Sequence, residues 1–385
     1  MRRFVSILSL AAAIVAILAP SDAGAIPAFA RRYRVSCTTC HAPFPKLKPF
    51  GDEFAGRGFG LEPGQEPARS NLDLGDDLLQ LPREIPLAIR FDAFVLGQDT
   101  DPRLDFQTPW AVKLLAGGQI GEGVSFYGYY ILEQGNPGLI EDLFLLISKP
   151  LGLPLDFTIG QFQISDAIVK RELRLQRLDY EILTVRPGRS RVNLTYDRGL
   201  ALASDVGPIG AVLTITNGSG IGPADPSFDN DKYKNFGLNL WAHVGPFALG
   251  AYGFMGTEVD PAGAKNETWI AGPEARLALR DRADVQAVWL ERRDTNPGFV
   301  AAGAEKVRTG GGFVEVVGYP QGNDGRWTVT AIYNYVESDD ANARRNDGGL
   351  AASWLLRRNV RLVAEADRDF EVDAWAGSVG TVAAF

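Results

Sequence analysis

The chain has 385 residues, of which 45% are hydrophobic and 22% are charged, and its formal net charge at pH 7 is -8. This acidic balance argues against a nucleic-acid partner or an anionic membrane surface. With 2 Cys, 2 His and 2 Met, the composition excludes zinc ribbons, disulfide scaffolds and sites that hold several metal ions. The mean hydropathy of -0.06 is typical of a chain without a membrane-spanning helix.

The first residues, 1–25, are predicted to be a signal peptide. Arg2 and Arg3 precede an apolar run from Phe4 to Leu18, and Ala23-Gly24-Ala25 has the small residues of a signal-peptidase site. A membrane anchor fits less well, because the apolar run is short and ends at a cleavable site. The sequence therefore predicts export.

The exported part divides into a head, a linker and a long repetitive region. Residues 26–60 are basic, rich in Phe and Pro, and contain both cysteines, whereas residues 61–85 are polar and proline-rich, as in a linker. Residues 86–385 carry the repetitive pattern. The head is too short for a stable core of its own, so it needs a cofactor, the following domain, or both.

Residues 86–385 repeat segments of about ten residues in which apolar and polar side chains alternate. Leu238, Leu240 and Ala242, for example, alternate with Asn239 and Trp241. Sixteen strands are predicted, at 86–96, 108–119, 124–133, 140–149, 154–163, 191–205, 208–217, 236–244, 247–256, 268–279, 284–292, 308–318, 326–336, 348–356, 360–369 and 374–385. This pattern predicts a mainly β fold, a 16-stranded antiparallel transmembrane β-barrel with the small helical head acting as a plug.

The predicted connections alternate in length along the chain. Short turns fall at 121–123, 150–153, 206–207, 245–246, 281–282 and 357–358, and long loops notably at 218–235, 293–307 and 337–347. Short periplasmic turns and long external loops are typical of bacterial outer-membrane barrels, and the chain ends on Phe385 as such barrels do. We therefore expect the outer membrane as location, with the head on the periplasmic side or inside the lumen. A secreted β-sandwich array would explain the strands but not the alternation of the connections.

Both cysteines lie in the run Cys37-Thr38-Thr39-Cys40-His41. Two thiols at this spacing can form thioethers with the vinyl groups of a haem, and the adjacent His can bind the iron. The run predicts one covalent haem c, with Cys37 and Cys40 as attachment residues and His41 as proximal iron ligand. Three alternatives fit less well: a thioredoxin-like pair lacks its βαβ context, a zinc site lacks a fourth ligand, and a disulfide across two residues would be strained.

The rest of the head is predicted to wrap this haem. A helix is expected at 27–33, with Phe29 and Tyr33 on one side. A second helix is expected at 46–54, ended by Gly56 and Gly58. The apolar stripe that this second helix is expected to turn toward the porphyrin consists of Leu47, Phe50 and Phe54.

The head resembles that of the fused cytochrome–porins, a family that includes the outer-membrane iron oxidases of iron-oxidising bacteria. The resemblance covers about residues 26–60 and rests on Ile26–Arg31, Cys37–His41, Phe44–Leu47 and Phe50-Gly51, together with the porin-like phrase Thr158–Phe162 in the barrel. It implies one haem c head that plugs a sixteen-stranded barrel and transfers electrons across the outer membrane, from extracellular ferrous iron inward.

The distal iron ligand is left open by the sequence. Residues 26–60 contain no Met, so a His/Met haem cannot form within the head. His243 is expected to face the lumen at the periplasmic end of a strand and is a candidate distal ligand; the alternative is a lumen or girdle histidine without a metal role. Lys46, Lys48 and Tyr33 are weaker candidates, and five-coordinate iron is a further alternative.

Two loop features are candidates for function. The segment 164–190 is too long for a plain loop and is expected to fold inward, where its basic side chains could pair with haem propionates or select anions; the alternative is a solvated amphipathic loop. Carboxylates in the external loops could bind ferrous iron or serve solubility alone. They are Asp99, Asp101, Asp225, Asp229, Asp231, Asp339 and Asp340.

Two functional classes follow. The first is an outer-membrane electron conduit that works through one haem c, between an extracellular donor or acceptor such as ferrous iron and a periplasmic cytochrome or other soluble carrier. In that class the chain could act as an iron-oxidising oxidoreductase. The second is an outer-membrane diffusion channel, a porin, in which the haem head is a plug or sensor. Outer-membrane lipid is a partner in both.

Overall fold

The structure is a computed structural model that describes residues 28–43, 46–61, 71–72, 75, 81–83, 85–100, 104–133, 138–170, 176–222, 227–229 and 231–385. The predicted signal peptide at 1–25 and much of the predicted linker at 61–85 lie outside these residues. Within the linker, Asn71–Leu72 and Leu81–Pro82 form a short antiparallel ladder.

Three short helices form the head, here residues 28–61. They are α1 at Ala28–Tyr33, α2 at Cys37–Cys40 and α3 at Pro49–Gly56. The predicted first helix is thus present, and the second ends at Gly56 as expected. None of the helices in the described ranges is long and apolar enough to cross a membrane.

Sixteen antiparallel strands follow the head. They are β1 Leu87–Gln98, β2 Leu104–Gly121, β3 Val124–Glu133, β4 Leu139–Ser148, β5 Asp156–Gln163, β6 Tyr196–Val206, β7 Ile209–Thr216, β8 Asn235–Val244, β9 Phe247–Val259, β10 Lys265–Leu279, β11 Ala283–Asp294, β12 Val307–Gly318, β13 Trp327–Ser338, β14 Arg345–Arg357, β15 Val360–Asp369 and β16 Ala374–Ala384. Each strand pairs with its neighbours in sequence, and the sheet closes.

Closure is made by pairing of the last strand with the first. The register runs from Ala376 opposite Gln98 to Ala384 opposite Arg90. A closed sheet leaves no row of unpaired backbone groups, which is the condition for a sheet in lipid. The predicted fold class and strand number are confirmed, and the β-sandwich alternative is wrong.

Two predicted strand bounds differ from the structure by more than three residues. The second strand begins at Leu104 rather than at residue 108, and the sixth begins at Tyr196 rather than at residue 191. The residues before Tyr196 belong to a loop, because Leu194 N–H donates to the Leu183 carbonyl (2.8 Å) and the Leu194 side chain is buried. Apolar alternation continued into the loop and made the strand look longer than it is.

The predicted alternation in the length of the connections holds in part. Two residues separate β2 from β3, β6 from β7, β8 from β9 and β14 from β15, all at one end of the barrel, where the β4–β5 and β12–β13 connections, 149–155 and 319–326, are longer. The longest connections, between β5 and β6, β7 and β8, and β11 and β12, lie at the other end. We call the end with the short turns the mouth.

The two faces of the sheet differ in polarity. On β8, the side chains of Leu238 and Leu240 are 42% and 47% exposed, whereas Asn239 between them is 3% exposed. Trp241 packs against the buried cluster inside the barrel, so Asn239 and Trp241 face inward. Apolar side chains therefore point outward, as in a barrel that lies in lipid.

Residues 164–170 and 176–195, the described parts of the inward loop, fold into the lumen, as predicted for the segment 164–190. This loop contains the helical turn α4 at Glu181–Thr184. Its buried apolar side chains, Ile164, Ile168, Val169, Tyr180, Ile182, Leu183, Val185, Val192 and Leu194, pack with wall residues such as Tyr252, Phe254, Leu290 and Phe313. Since each such side chain stabilises by about 1.5–3 kcal/mol when buried, the loop is a packed element, and the solvated-loop alternative is wrong.

Polar side chains of the wall also hold the inward loop. Arg292, buried on β11, donates to the carbonyls of Val185 (3.1 Å) and Val192 (2.8 Å) and pairs with Asp294. Glu258 accepts hydrogen bonds from Ser190 Oγ at 2.6 Å and from a backbone N–H of the loop. Charge-assisted hydrogen bonds of this kind keep the loop in a defined position across the lumen.

Candidate functional site at the mouth of the barrel

The two cysteines lie on one helical turn of the head. Ser36 caps this turn, since its Oγ accepts a hydrogen bond from Thr38 N–H (3.3 Å), and His41 N–H closes it by donating to the Cys37 carbonyl (2.8 Å). Both thiols are free and half-buried. A turn that carries two free thiols and is followed directly by His41 has the donor set that covalent haem attachment requires.

The chain folds back so that α3 packs on this turn. Lys48 N–H donates to the Cys40 carbonyl (2.8 Å), and His41 pairs with Leu47 in an isolated antiparallel bridge. Gly51 of α3 lies against the same Cys40 carbonyl, so a Cβ at Gly51 would overlap with the carbonyl oxygen. The thiol turn is thus held by the second helix, and the position of Gly51 admits no side chain.

The apolar stripe predicted on the second helix is partly wrong. Phe54 is buried as expected, but Leu47 precedes α3 and pairs with His41. Phe50 is 41% exposed, although its ring stacks on that of Phe54 with centroids 6.3 Å apart. The helix begins at Pro49, because proline suits a first turn, so Leu47 is not part of it.

Aromatic rings join the head to the barrel wall. Phe29 and Tyr33 both meet Phe54 edge-on at 5.4 Å, which is the shared face predicted for the first helix. Phe29 also stacks on Phe59 at 4.9 Å, and Phe59 stacks on Tyr127 of β3 at 5.0 Å. This chain of rings attaches the head to the wall formed by β2, β3 and β4.

Two lysines of the head reach the opposite rim. Lys46 Nζ lies 3.4 Å from Asp284 of β11 and donates to the Arg280 carbonyl at 3.0 Å. Lys48 Nζ pairs with Asp324, between β12 and β13, at 3.0 Å. Since the aromatic contacts are on β3 and the lysine contacts are on β11 and beyond, the head spans the mouth.

The weaker candidates for the distal ligand have other partners. Lys46 and Lys48 are engaged with carboxylates of the rim, and Tyr33 Oη donates to the Phe59 carbonyl at 2.8 Å. These contacts use the groups that would have to bind iron, so the structure argues against all three.

Burial changes the acidity of the two thiols. Burial raises the pKa of Cys37 above its ordinary value, while a backbone hydrogen bond and the positive charge of Arg358, in the turn between β14 and β15, act in the opposite direction. Burial also raises the pKa of Cys40, and the neighbouring Cys37 adds to this effect. Both groups are therefore neutral thiols near neutral pH.

Arg32 is the buried cation of the head. Its side chain is 5% exposed, and none of its three guanidinium nitrogens has a hydrogen-bond partner. Its neighbours are the ring of Tyr33, with the guanidinium carbon 5.4 Å from the ring centroid, and the backbone of β2 at Gly118. A buried cation without an anion is costly, so the head offers a place for a negatively charged group.

A cavity of about 870 Å³ opens beside the segment that joins α1 to α2. Its lining consists of Ala30, Arg31, Arg34, Val35, Ser36, Ile85 and Leu87. The volume is in the range of cofactor sites, and the segment leads directly into Cys37. The cavity lining includes neither thiol, nor His41 or Arg32, so the residues that fit a haem c group are the two free thiols, His41 and the cation of Arg32.

His243 lies near the mouth end of β8, on the inward side by its alternation with Asn239 and Trp241. It is exposed, and its backbone N–H donates to the Pro208 carbonyl at 2.7 Å. Its inward orientation agrees with the sequence, and its role as distal ligand stays a prediction.

Three arginines of the inward loop bind parts of the barrel and not the head. Arg177 pairs with Asp367 of β15 at 2.9 Å, Arg189 donates to the Gly298 carbonyl, and Arg191 donates to the Ser219 carbonyl at 3.1 Å. Arg171 and Arg174 lie outside the described residues. These contacts favour a structural role for the described cations over propionate binding.

The described aspartates of the external loops mainly accept hydrogen bonds from backbone N–H groups. Asp99 accepts from Trp375 N–H (3.0 Å), Asp231 from Tyr233 N–H (2.7 Å) and Asp340 from Gly188 N–H (2.7 Å). Asp229 pairs with Lys234, and Asp339 accepts from Arg308 N–H. Asp101 and Asp225 lie outside the described residues. Within the described ranges, no group of three or more His, Cys, Asp or Glu could hold a metal ion.

Solved outer-membrane porins have the same fold. OmpT of Vibrio cholerae matches with a TM-score of 0.56 and 11% identity over 78% of this chain and 99% of its own. OmpF of Salmonella typhi, solved in complex with daunomycin, matches with a TM-score of 0.54 and 11% identity over 82% of this chain and 100% of its own. At this identity the likeness shows a porin-like barrel and nothing finer. No protein-family model and no curated protein matches the chain.

Proposed function

We propose that this chain is an outer-membrane barrel of the porin type whose mouth carries an electron-transferring haem c head. The closed sheet, its outward apolar side chains and its likeness to porins support the membrane location. The barrel is supported by both its own geometry and its likeness to porins, whereas the haem c head is proposed from the residues of this chain alone.

The mouth is proposed to face the periplasm. The short turns of the barrel and the head lie at this end, and short turns are periplasmic in bacterial outer-membrane barrels. The predicted signal peptide directs export into the periplasm, which is the compartment where the mouth and the head are proposed to lie. Lys46 and Lys48 then hold the head across the periplasmic opening.

Cys37 and Cys40 are proposed to hold one haem c through thioethers, with His41 as its proximal iron ligand. The observation that carries this proposal is the pair of free thiols on one capped turn, directly before His41, in a head that spans the opening. When bound, haem c supplies a reversible one-electron centre. The turn, α3 and the ring contacts of Phe29 and Phe59 hold that centre close to the barrel wall.

Such a centre serves as a conduit between the lumen and the periplasm. The apolar band of an outer-membrane barrel is about 25 Å tall, so an insoluble external partner cannot touch the mouth. The inward loop leaves a cleft of about 250 Å³ beside Trp110 and Arg177. A small donor or acceptor such as ferrous iron would therefore enter the lumen, and a periplasmic cytochrome or other soluble carrier would meet the head.

A second candidate is a diffusion channel in which the head is a plug or sensor. The comparisons favour this candidate more directly than the conduit, since the similar structures are porins and outer-membrane proteins. The inward loop crosses the lumen and leaves a cleft of about 250 Å³ beside Trp110, which would be one place for a small solute.

Proteoliposomes would separate the two candidates. Full-length protein and its Cys37→Ala/Cys40→Ala variant are reconstituted with a soluble cytochrome inside, and ferrous iron is added outside. The conduit predicts a covalent haem on a denaturing gel and reduction of the enclosed cytochrome, both lost in the variant. Equal solute flux through both proteins without electron transfer would establish the channel instead. Wild-type protein that is colourless despite a working cytochrome-maturation system would refute haem attachment.

A further inference from the structure

Arg32 combines burial, positive charge and a lack of partners. Its guanidinium nitrogens are shielded from solvent and form no hydrogen bonds, and in the described part of the chain no carboxylate pairs with it. Leaving a buried charge unpaired costs several kcal/mol, because the desolvation penalty is not offset by attraction.

The neighbouring arginines do not share this condition. Arg31 donates to the Leu87 carbonyl of β1. Arg34 is exposed and has a left-handed backbone with φ of 54° at the end of α1. Of the three, Arg32 alone is both buried and without a polar partner among the described residues.

The barrel wall is shaped to receive this guanidinium. A Cβ at Gly118 of β2 would lie 2.7 Å from Arg32 Nη1, and Gly118 has φ of 152°, in the region that favours glycine. The aromatic ring of Tyr33 lies beside the guanidinium group of Arg32, with the face of the ring toward the cation. Glycine on the wall and tyrosine on the helix thus make room for a cation at the junction of head and barrel.

We propose that Arg32 binds a carboxylate of the haem, one of its propionates, when the head is loaded. This inference rests on the proposed haem c. A guanidinium presents paired N–H donors that match the two oxygens of a carboxylate, and a charge-assisted pair in a desolvated place is strong. The buried cation is then compensated in the loaded protein and uncompensated in the haem-free chain, so Arg32 connects haem binding to docking of the head on β2.

The test compares full-length, detergent-solubilised protein carrying Arg32→Met, Arg32→Lys or, as the matched control, Arg34→Met. The haem content of each is measured first, and then the midpoint potential of the ferric–ferrous couple and the propionate bending mode in resonance Raman spectra. Loss of the cation leaves more negative charge near the iron and favours the ferric form. We expect Arg32→Met to shift the ferric-to-ferrous ratio by about tenfold, about 59 mV, and to move the propionate mode. Arg32→Lys should give a smaller shift and Arg34→Met the smallest.

A thermal-unfolding comparison completes the test. In the haem-free Cys37→Ala/Cys40→Ala background, Arg32→Met should leave the unfolding temperature unchanged or raise it, whereas in the loaded protein it should lower it. Loaded Arg32→Met protein with an unchanged potential and propionate mode, or an equal effect of Arg34→Met, would overturn the role of Arg32 alone. If the wild-type chain carries no haem, the proposed function itself fails, and haem content reports that separately.

Discussion

Gly51 of α3 lies directly against the backbone carbonyl of Cys40, so that the second helix of the head rests on the turn that carries both thiols. We predict that Gly51→Ala separates α3 from this turn, because the added methyl group would overlap with the carbonyl oxygen. Overpacking of this kind costs about 1–3 kcal/mol. The expected result is a lower yield of covalent haem per protein, measured by haem absorbance against total protein.

The control for that substitution is Gly56→Ala at the end of the same helix. A Cβ at Gly56 meets nothing within 4 Å. Haem yield should therefore be unchanged in this variant. An equal loss in both variants would show that helix composition, and not contact with Cys40, sets the yield.

Lys46→Met is predicted to loosen the head from the rim. Lys46 and Asp284 have side chains only 9% and 12% exposed, and removal of Lys46 leaves Asp284 with Arg276, at 3.8 Å, as its cation, at a cost of about 1–3 kcal/mol. Ion conductance in planar bilayers should rise, since the head spans the opening. Lys48→Met is the comparison: Asp324 is 83% exposed, and an exposed pair is worth at most about 1 kcal/mol. Conductance that is the same in both variants and in the wild type would contradict plugging by the head.

Arg292→Met is predicted to release the inward loop. Arg292 is 2% exposed and donates to Val185 and Val192, so its loss leaves two carbonyls without this donor and Asp294 without its cation. Faster proteolysis within 164–195 and a larger single-channel conductance are expected. Lys170→Met, which removes an exposed cation of the same loop, should change neither. A protease-resistant loop in Arg292→Met would mean that apolar packing alone holds it.

The raised pKa of the thiols predicts slow alkylation of the haem-free chain. The pKa of Cys37 and of Cys40 lies above the ordinary value, so less thiolate is present at a given pH than in an unfolded chain. Iodoacetamide should react more slowly with the folded than with the denatured protein at pH 8, and the folded-state rate should continue to rise above pH 9. Loaded protein should show no reactive thiol. A folded-state rate equal to the denatured rate would contradict the burial of these groups.

The strands could be predicted from the sequence because alternation is a local property. The side chains of Leu238, Leu240 and Asn239 reveal their faces without knowledge of any partner strand. The pattern misled most at residues 191–195, where the buried side chains of Val192 and Leu194 belong to the inward loop and not to the sheet. A period of two cannot distinguish these two ways of burying apolar surface.

The site was predictable in its chemistry and not in its surroundings. The spacing of Cys37, Cys40 and His41 is readable along the chain, whereas Lys46 with Asp284 and Phe59 with Tyr127 are contacts between distant parts of the sequence. Arg32 had no local signal at all: in the sequence it is one of several cations in a basic head. Its burial becomes visible only when α1 docks on β2.

By itself the sequence therefore determined the number of strands, their faces and the thiol-bearing turn, since each depends on side chains within one segment. Only the tertiary structure decided how the head spans the mouth and which groups bind the side chains of Lys46, Lys48 and Tyr33. It also decided that the buried cation of Arg32 has no anion beside it among the described residues. Those outcomes depend on closure of the sheet, because closure brings β2, β11 and β13 around a single opening that no local pattern describes.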